Sequence, residues 1–232
     1  YGQRVGIWRI FDVFDSFGVP STCTVNAKTA LERRDIVDAA LERGWELVAH
    51  NYVQSELLTD FMFDEAKERE VIRETLRVYD EVVGKPAKGW LSSSLRSTLN
   101  TIDIIAEEGL IFITDLLNDD QPYLVKTRSG KPMVSIPYTS EVNDFTVFMR
   151  QGMDADGAFK VFKEQFDWLY AESAKSGRFM NIGLHPHVIG QPFRIRALRD
   201  FLAYVKQFDD VWFATREEIA EWYLENHHTH IG

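Results

Sequence analysis

Apolar residues at Val5, Trp8, Phe11 and Phe14 recur at helical spacing, which predicts a helix from Val5 to Phe17 stopped by Gly18-Val19-Pro20. Ser21 to Val25 then reads as a strand followed by Asn26. A helix from Asp35 to Arg43 ends at Gly44, and a strand from Glu46 to Ala49 ends at His50. Residues 51–62 have no clear period and read as a long loop. Asp64 stands where an N-cap belongs, ahead of an amphipathic helix that runs to Val83 and closes at Gly84. Gly89 to Leu91 is a short strand leading into Ser92-Ser93-Ser94, and Asn100 to Glu108 a helix ended by Gly109. Leu110 to Leu116 reads as a strand ending in Asn118-Asp119-Asp120, and residues 121–133 as a polar excursion with proline and glycine. Val134 to Tyr138 is a strand leading to Asn143-Asp144, followed by a helix from Asp156 to Ala174. The apolar run Phe179 to Leu184 reads as a buried parallel-sheet strand that stops at His185-Pro186-His187. A helix from Arg194 to Phe208 and a strand from Val211 to Ala214 follow. Thr215 caps the last helix with Glu218 at the capping-box position.

Strands that alternate with helices imply right-handed parallel crossovers, and about seven of them point to an α/β fold of the (β/α) barrel type. An open doubly wound sheet is the main alternative. No linker composition interrupts the chain, so residues 1–232 are expected to form one domain. Because the chain opens on a helix, the first strand of such a barrel is expected upstream of residue 1.

Bulk composition narrows the function. A net charge of −10 argues against nucleic acid and anionic membrane surfaces, which demand clustered Lys and Arg. No apolar run reaches the length of a membrane-spanning helix. Cys23, the single cysteine, sits between two threonines of a predicted strand and reads as a buried structural thiol. A cytoplasmic setting is favoured on that ground. No Gly-rich phosphate loop and no Gly-x-Ser-x-Gly elbow is present. The tail His227-His228-Thr229-His230 reads as a solvated end rather than a metal site.

The first polar residues after the strands are Asn26, His50, Ser92 to Ser94, Asn118 to Asp120, Asn143-Asp144, His185 with His187, and Thr215-Arg216. In a parallel barrel these ends lie on one face, and His, Asp, Asn and Ser gathered there suit hydrolytic chemistry. Strand ends are also where any chain turns polar. Histidine is the more telling residue, because outside the tail it occurs only at His50, His185 and His187.

Gly44-Trp45-Glu46-Leu47-Val48-Ala49-His50 resembles a strand motif of the polysaccharide deacetylases, relatives of the nodulation chitooligosaccharide deacetylase. The opening Tyr1-Gly2-x-Arg4-Val5-Gly6-x-Trp8-Arg9 is similar to one subgroup, as are Asn118-Asp119-Asp120-x-Pro122-Tyr123 and Ile136-Pro137-Tyr138-x-x-Glu141-x-Asn143-Asp144. His185-Pro186-x-Val188-x-Gly190-x-Pro192-x-Arg194 and Trp212 to Ala220 add to the likeness, which covers essentially the whole chain. That subgroup contains cofactor-independent allantoinases, cyclic imide hydrolases and bacterial peptidoglycan deacetylases. The resemblance implies a distorted barrel of about seven parallel strands. It also implies a metal held by an Asp and a His-x-x-x-His pair in the deacetylases, and a histidine acid in a late Leu-His motif. His50 matches the first metal ligand and Leu184-His185 the acid motif, but Gln54 stands where the second metal-binding histidine belongs. An amide binds zinc-like ions poorly, so the match to the metal-free allantoinase branch is the better one.

The expected activity is therefore hydrolysis of a non-peptide carbon–nitrogen bond, in an amide or cyclic amide, with His185 as the acid that protonates the leaving nitrogen. Asp119 or Asp120 would orient His185 or take the proton from water. His50 would polarise the carbonyl, or bind a metal ion if one is present. Trp90, Asn143 and Gln191 are expected to shape the pocket, and His187 to act at its rim on substrate affinity. No cofactor is expected; a divalent, zinc-like metal is the alternative if an upstream Asp completes the site. The partner is a small amide or an N-acetyl sugar, and the chain is expected to form a homo-oligomer. Two rival functions are a metal-dependent deacetylase of N-acetylated sugars or peptidoglycan, and an inactive carbohydrate-binding relative.

Overall fold

The computed structural model describes residues 1–229, so His230 of the expected histidine tail lies outside the described residues. The chain divides into two compact units, one of Ser21–Pro137 with Ala214–Gly232 and one of Tyr1–Pro20 with Tyr138–Phe213.

The first of these carries a six-stranded sheet of β1 (Thr22–Val25), β2 (Glu46–Ala49), β3 (Gly89–Trp90), β4 (Phe112–Ile113), β5 (Tyr123–Val125) and β6 (Met133–Ser135). The strand order is β1-β2-β3-β4-β6-β5, with every pair parallel except β5 and β6. The parallel strands thus neighbour one another in chain order. A doubly wound sheet would reverse its order at a switch point, so this winding is that of the (β/α) barrel class and not of the alternative. β2 is buried at every position, as expected of a strand covered on both faces. β3 can lie against β4 only because Gly89 lacks a side chain, since a Cβ there would overlap the ring of Phe112. Between the strands run α2 (Ala27–Glu32), α3 (Arg34–Glu42), α4 (Glu65–Val83) and α5 (Thr101–Glu107). Asp64 caps α4 through the amide of Lys67 at 3.0 Å, and Gly84 ends it with φ +79°.

Buried Glu46 ties this sheet to the last helix, α8 (Arg216–Asn226). Its carboxylate accepts from the Thr22 hydroxyl at 2.5 Å and from the amides of Arg216 at 2.8 Å and Glu217 at 3.1 Å. Burial holds its pKa above the usual carboxylate range. The predicted capping box is present, with Thr215 and Glu218 bonding each other's backbone.

The second unit is helical. It holds α1 (Ile7–Phe17), α6 (Ala155–Ser173) and α7 (Ile195–Val205), together with two π-helical turns at Gly2–Gly6 and Phe145–Arg150. Gly18 closes α1 in the left-handed conformation at φ +58°. Phe166 packs edge-on against Phe201, Tyr204 and Phe208, which joins α6 to α7 and the residues that follow it.

Three expectations need correction. Among the described residues, Phe179 to Leu184 joins no strand ladder, and each of its residues is half-exposed. Tyr138 and Asn143 occupy its flank instead: a Cβ on Gly183 would overlap the Tyr138 hydroxyl and stand 2.7 Å from Asn143 Nδ2. Val211 to Ala214 likewise forms no ladder. The excursion over residues 121–133 contains β5, antiparallel to β6 with Leu124 opposite Val134.

Candidate active site

His185 follows this segment, at the point where the chain turns. Pro186 cannot donate to a ladder, and the backbone folds back so that the amides of Val188 and Ile189 both donate to His185 O, at 2.8 and 3.0 Å. Strand geometry therefore ends at Pro186, and the alternation that would aim His185 and His187 the same way is lost.

What holds His185 is Asp144, the residue that opens the second π-helical turn. The fully buried Asp144 carboxylate takes three donors: His185 Nδ1 at 2.6 Å, the His185 amide at 2.7 Å and the Ile189 amide at 3.1 Å. A carboxylate only accepts, so Nδ1 carries a proton, and the tautomer with a lone pair has it at Nε2. The His185 side chain is 40% exposed while Asp144 has no exposure, so the ring is reachable and its partner is not. The ring of Phe145 stands edge-on to His185 at 6.1 Å, and His187 at 5.8 Å.

His187 itself is exposed, and its backbone carbonyl lies 3.5 Å from the Gln191 side-chain amide. Burial of part of its ring is the chief cause that holds its pKa below the ordinary histidine value. Asn143 is spent on structure: its Nδ2 donates to the Tyr138 hydroxyl at 2.7 Å and its Oδ1 accepts from the Phe145 amide at 2.8 Å.

The other unit has its own polar cluster at the C-terminal ends of β1, β2 and β3. His50 Nδ1 lies 2.6 Å from Leu91 O and its Nε2 2.9 Å from Gln54 Oε1. The Asn51 side chain accepts from the Ser93 amide at 3.1 Å, and Asn26 reaches Ser93 Oγ at 3.4 Å. Asn51, Ser94 and Leu95 all have positive φ, at 44°, 58° and 57°. Three such non-glycine residues at adjacent strand ends mark backbone strain of the kind that collects at functional sites. Trp90 is fully buried, with its indole N–H donating to Ser92 Oγ at 2.9 Å.

The donors around His50 test whether a divalent metal fits there. Both His50 nitrogens face oxygen atoms, Gln54 offers an amide, and the nearby serines offer only hydroxyls. Among the described residues no three His, Cys, Asp or Glu side chains are grouped to hold a metal ion. This donor set does not suit a zinc-like ion.

Asp119 and Asp120 are exposed, and Asp119 accepts from the Gln121 amide at 3.0 Å. The carboxylate that orients His185 is Asp144, not either of these. In the sequence Asp144 is one strand-end polar residue among several, set apart only by its adjacency to Asn143 in Ile136-Pro137-Tyr138-x-x-Glu141-x-Asn143-Asp144. Asp115 was missed altogether. It lies beyond β4, almost fully buried, with one oxygen accepting from the Ser92 amide at 2.7 Å and the other, Oδ2, unpartnered. Burial pushes its pKa up to about 6, against the downward pull of Ser92 and Ser97.

No family model matches the chain. The solved structure of Puue allantoinase superposes with a TM-score of 0.90 at 36% identity, over 98% of this chain and 74% of that one. A probable polysaccharide deacetylase from Pseudomonas aeruginosa PAO1 superposes with a TM-score of 0.90 at 35% identity, over 98% and 75% of the two chains. A curated protein of Schizosaccharomyces pombe (strain 972) that carries the polysaccharide deacetylase name is 29% identical over 245 residues, covering 98% of this chain and 75% of its own length.

Proposed function

This chain belongs to the polysaccharide deacetylase family, and from that premise we propose that it opens a cyclic amide by adding water across the carbon–nitrogen bond. At the coarser level it is a hydrolase of carbon–nitrogen bonds other than peptide bonds, like the deacetylase and allantoinase it matches. The observation that carries the finer reading is the pair of Asp144 and His185.

With Nδ1–H held by Asp144, the free lone pair at His185 Nε2 takes a proton from water as the water oxygen attacks the carbonyl carbon. The carbonyl electrons move onto oxygen, and a tetrahedral intermediate forms. The imidazolium is stabilised by the buried carboxylate beside it, in the manner of a His–Asp couple in acyl transfer. When the intermediate collapses, the C–N electron pair leaves on nitrogen and takes the proton back from Nε2. One imidazole thus serves as base and then as acid, and no second carboxylate is needed for the proton. Phe145 stands edge-on beside the His185 ring and bounds it on one side.

One observation favours a cyclic amide over an N-acetyl sugar. Gln54 stands on His50 where the metal-binding reading requires an imidazole, and the donors around it do not suit a metal ion. The test is to incubate the purified protein with allantoin, succinimide and a chitooligosaccharide, following acid release for the rings and acetate for the sugar. Ring opening without acetate release supports the reading. Acetate release alone would transfer the activity to N-deacetylation.

A further inference from the structure

The opening segment of the chain is the part of the family-like sequence that the chemistry above leaves without a task. Within its unit it lies directly against the turn that carries His185. A Cβ on Gly2 would stand 2.9 Å from the His187 amide nitrogen, and one on Gly6 would overlap the Pro186 carbonyl oxygen and stand 2.8 Å from its carbon. From the other side, a Cβ on Gly190 would stand 2.5 Å from Gly6 Cα and 2.7 Å from Gly6 O. Backbone therefore meets backbone, with no room for a side chain between. None of these three glycines has the positive φ that would by itself demand glycine, so close approach is the reason for each. Arg9 completes the clamp, donating from Nη1 to Gly190 O at 2.7 Å while also bonding the Tyr1 hydroxyl. The π-helical turn Gly2–Gly6 is the geometry that brings Gly6 to this contact.

The turn is thus gripped from two sides. Asp144 holds its amides at His185 and Ile189, while the opening segment packs Gly6 against the Pro186 carbonyl and bonds the Gly190 carbonyl through Arg9. We propose that Gly6, Gly190 and Arg9 are positioning residues that fix the imidazole of His185. This rests on the reading of His185 as the proton carrier. A misplacement of about 1 Å at a reacting group costs on the order of a hundredfold in rate, and a methyl group inserted at Gly6 demands a displacement of that size.

The experiment follows the Nδ1 proton of His185, whose bond to Asp144 should give a far-downfield, slowly exchanging NMR resonance that disappears in His185→Ala. It needs no substrate, so it stands apart from the assignment of the reaction. Gly6→Ala should shift or broaden that resonance and lower kcat for allantoin by about tenfold to a hundredfold with KM little changed. Arg9→Met should do the same to a lesser degree, and Arg9→Lys should recover part of the loss. Arg9→Met also keeps the question open to test if Gly6→Ala does not fold. Gly177→Ala, where a Cβ meets nothing within 4 Å, should leave the resonance in place. An unmoved resonance in both Gly6→Ala and Arg9→Met would overturn the proposal, whatever the substrate proves to be.

Discussion

His185 and His187 stand two residues apart, yet they hold different things. His185 is bonded to a buried carboxylate, whereas His187 stands at the exposed rim with its pKa held down chiefly by partial burial of its ring. His187→Ala is therefore expected to lower kcat by less than about tenfold and to act mainly on KM, because it loses a rim contact and not a proton carrier. Steady-state kinetics on the allantoin reaction checks this. Asp144→Asn places an amide where Nδ1–H needs an acceptor, and kcat should fall by on the order of 10² to 10⁴. The histidines were legible in sequence because they are scarce and end an apolar run. Asp144 was not, because its value comes from a fold-back that brings residue 144 to residue 185. Asp115 gives a separate test at this scale. Its folded pKa of about 6 lies above the ordinary 3.8, so the folded state binds the proton more tightly than the unfolded chain. Its contribution is favourable in acid and is lost as pH rises through about 6, a loss of at most about 3 kcal/mol. Asp115→Asn keeps an oxygen for the Ser92 amide and should become progressively more stable than the parent between pH 4 and pH 6, as read from urea midpoints at each pH.

Elements were easiest to read where termini carried chemical signals. Asp64 and Gly84 bound α4, Gly18 closes α1, and Thr215 with Glu218 starts α8, because caps are local and depend on one or two side chains. The segment before His185 was misread because an apolar run says nothing about what lies beside it. Tyr138 and Asn143 stand against Gly183, and among the described residues no ladder forms along that segment. The π-helical turns were invisible for a different reason: a five- or six-residue turn is too short for a period to register. β3 carries the prediction at this scale. Gly89→Ala forces a methyl group into the buried Phe112 ring, and the cost expected for overpacking is about 1–3 kcal/mol. Thermal or urea denaturation measures it, and a loss near zero would mean that β3 and β4 can move apart.

At the scale of the molecule, alternation of strands and helices carried the fold class, and the sequential order of the parallel strands separates a barrel from a doubly wound sheet. What alternation could not supply is the division of chemistry between the two units. Asn143, His185, His187 and Gln191 belong to one, and His50, Trp90, Asp119 and Asp120 to the other. The donors around His50 carry a further expectation: elemental analysis of purified protein should find well under one zinc per chain, and chelator should leave turnover unchanged. The most direct measurement is the turnover number for ring opening of allantoin and succinimide by the parent protein and by His185→Ala. The expected result is measurable turnover of at least one ring by the parent and a loss of roughly a hundredfold or more in the variant, the scale typical of a lost proton carrier. Equal turnover by the two proteins, or none by the parent on either ring, would contradict the assignment.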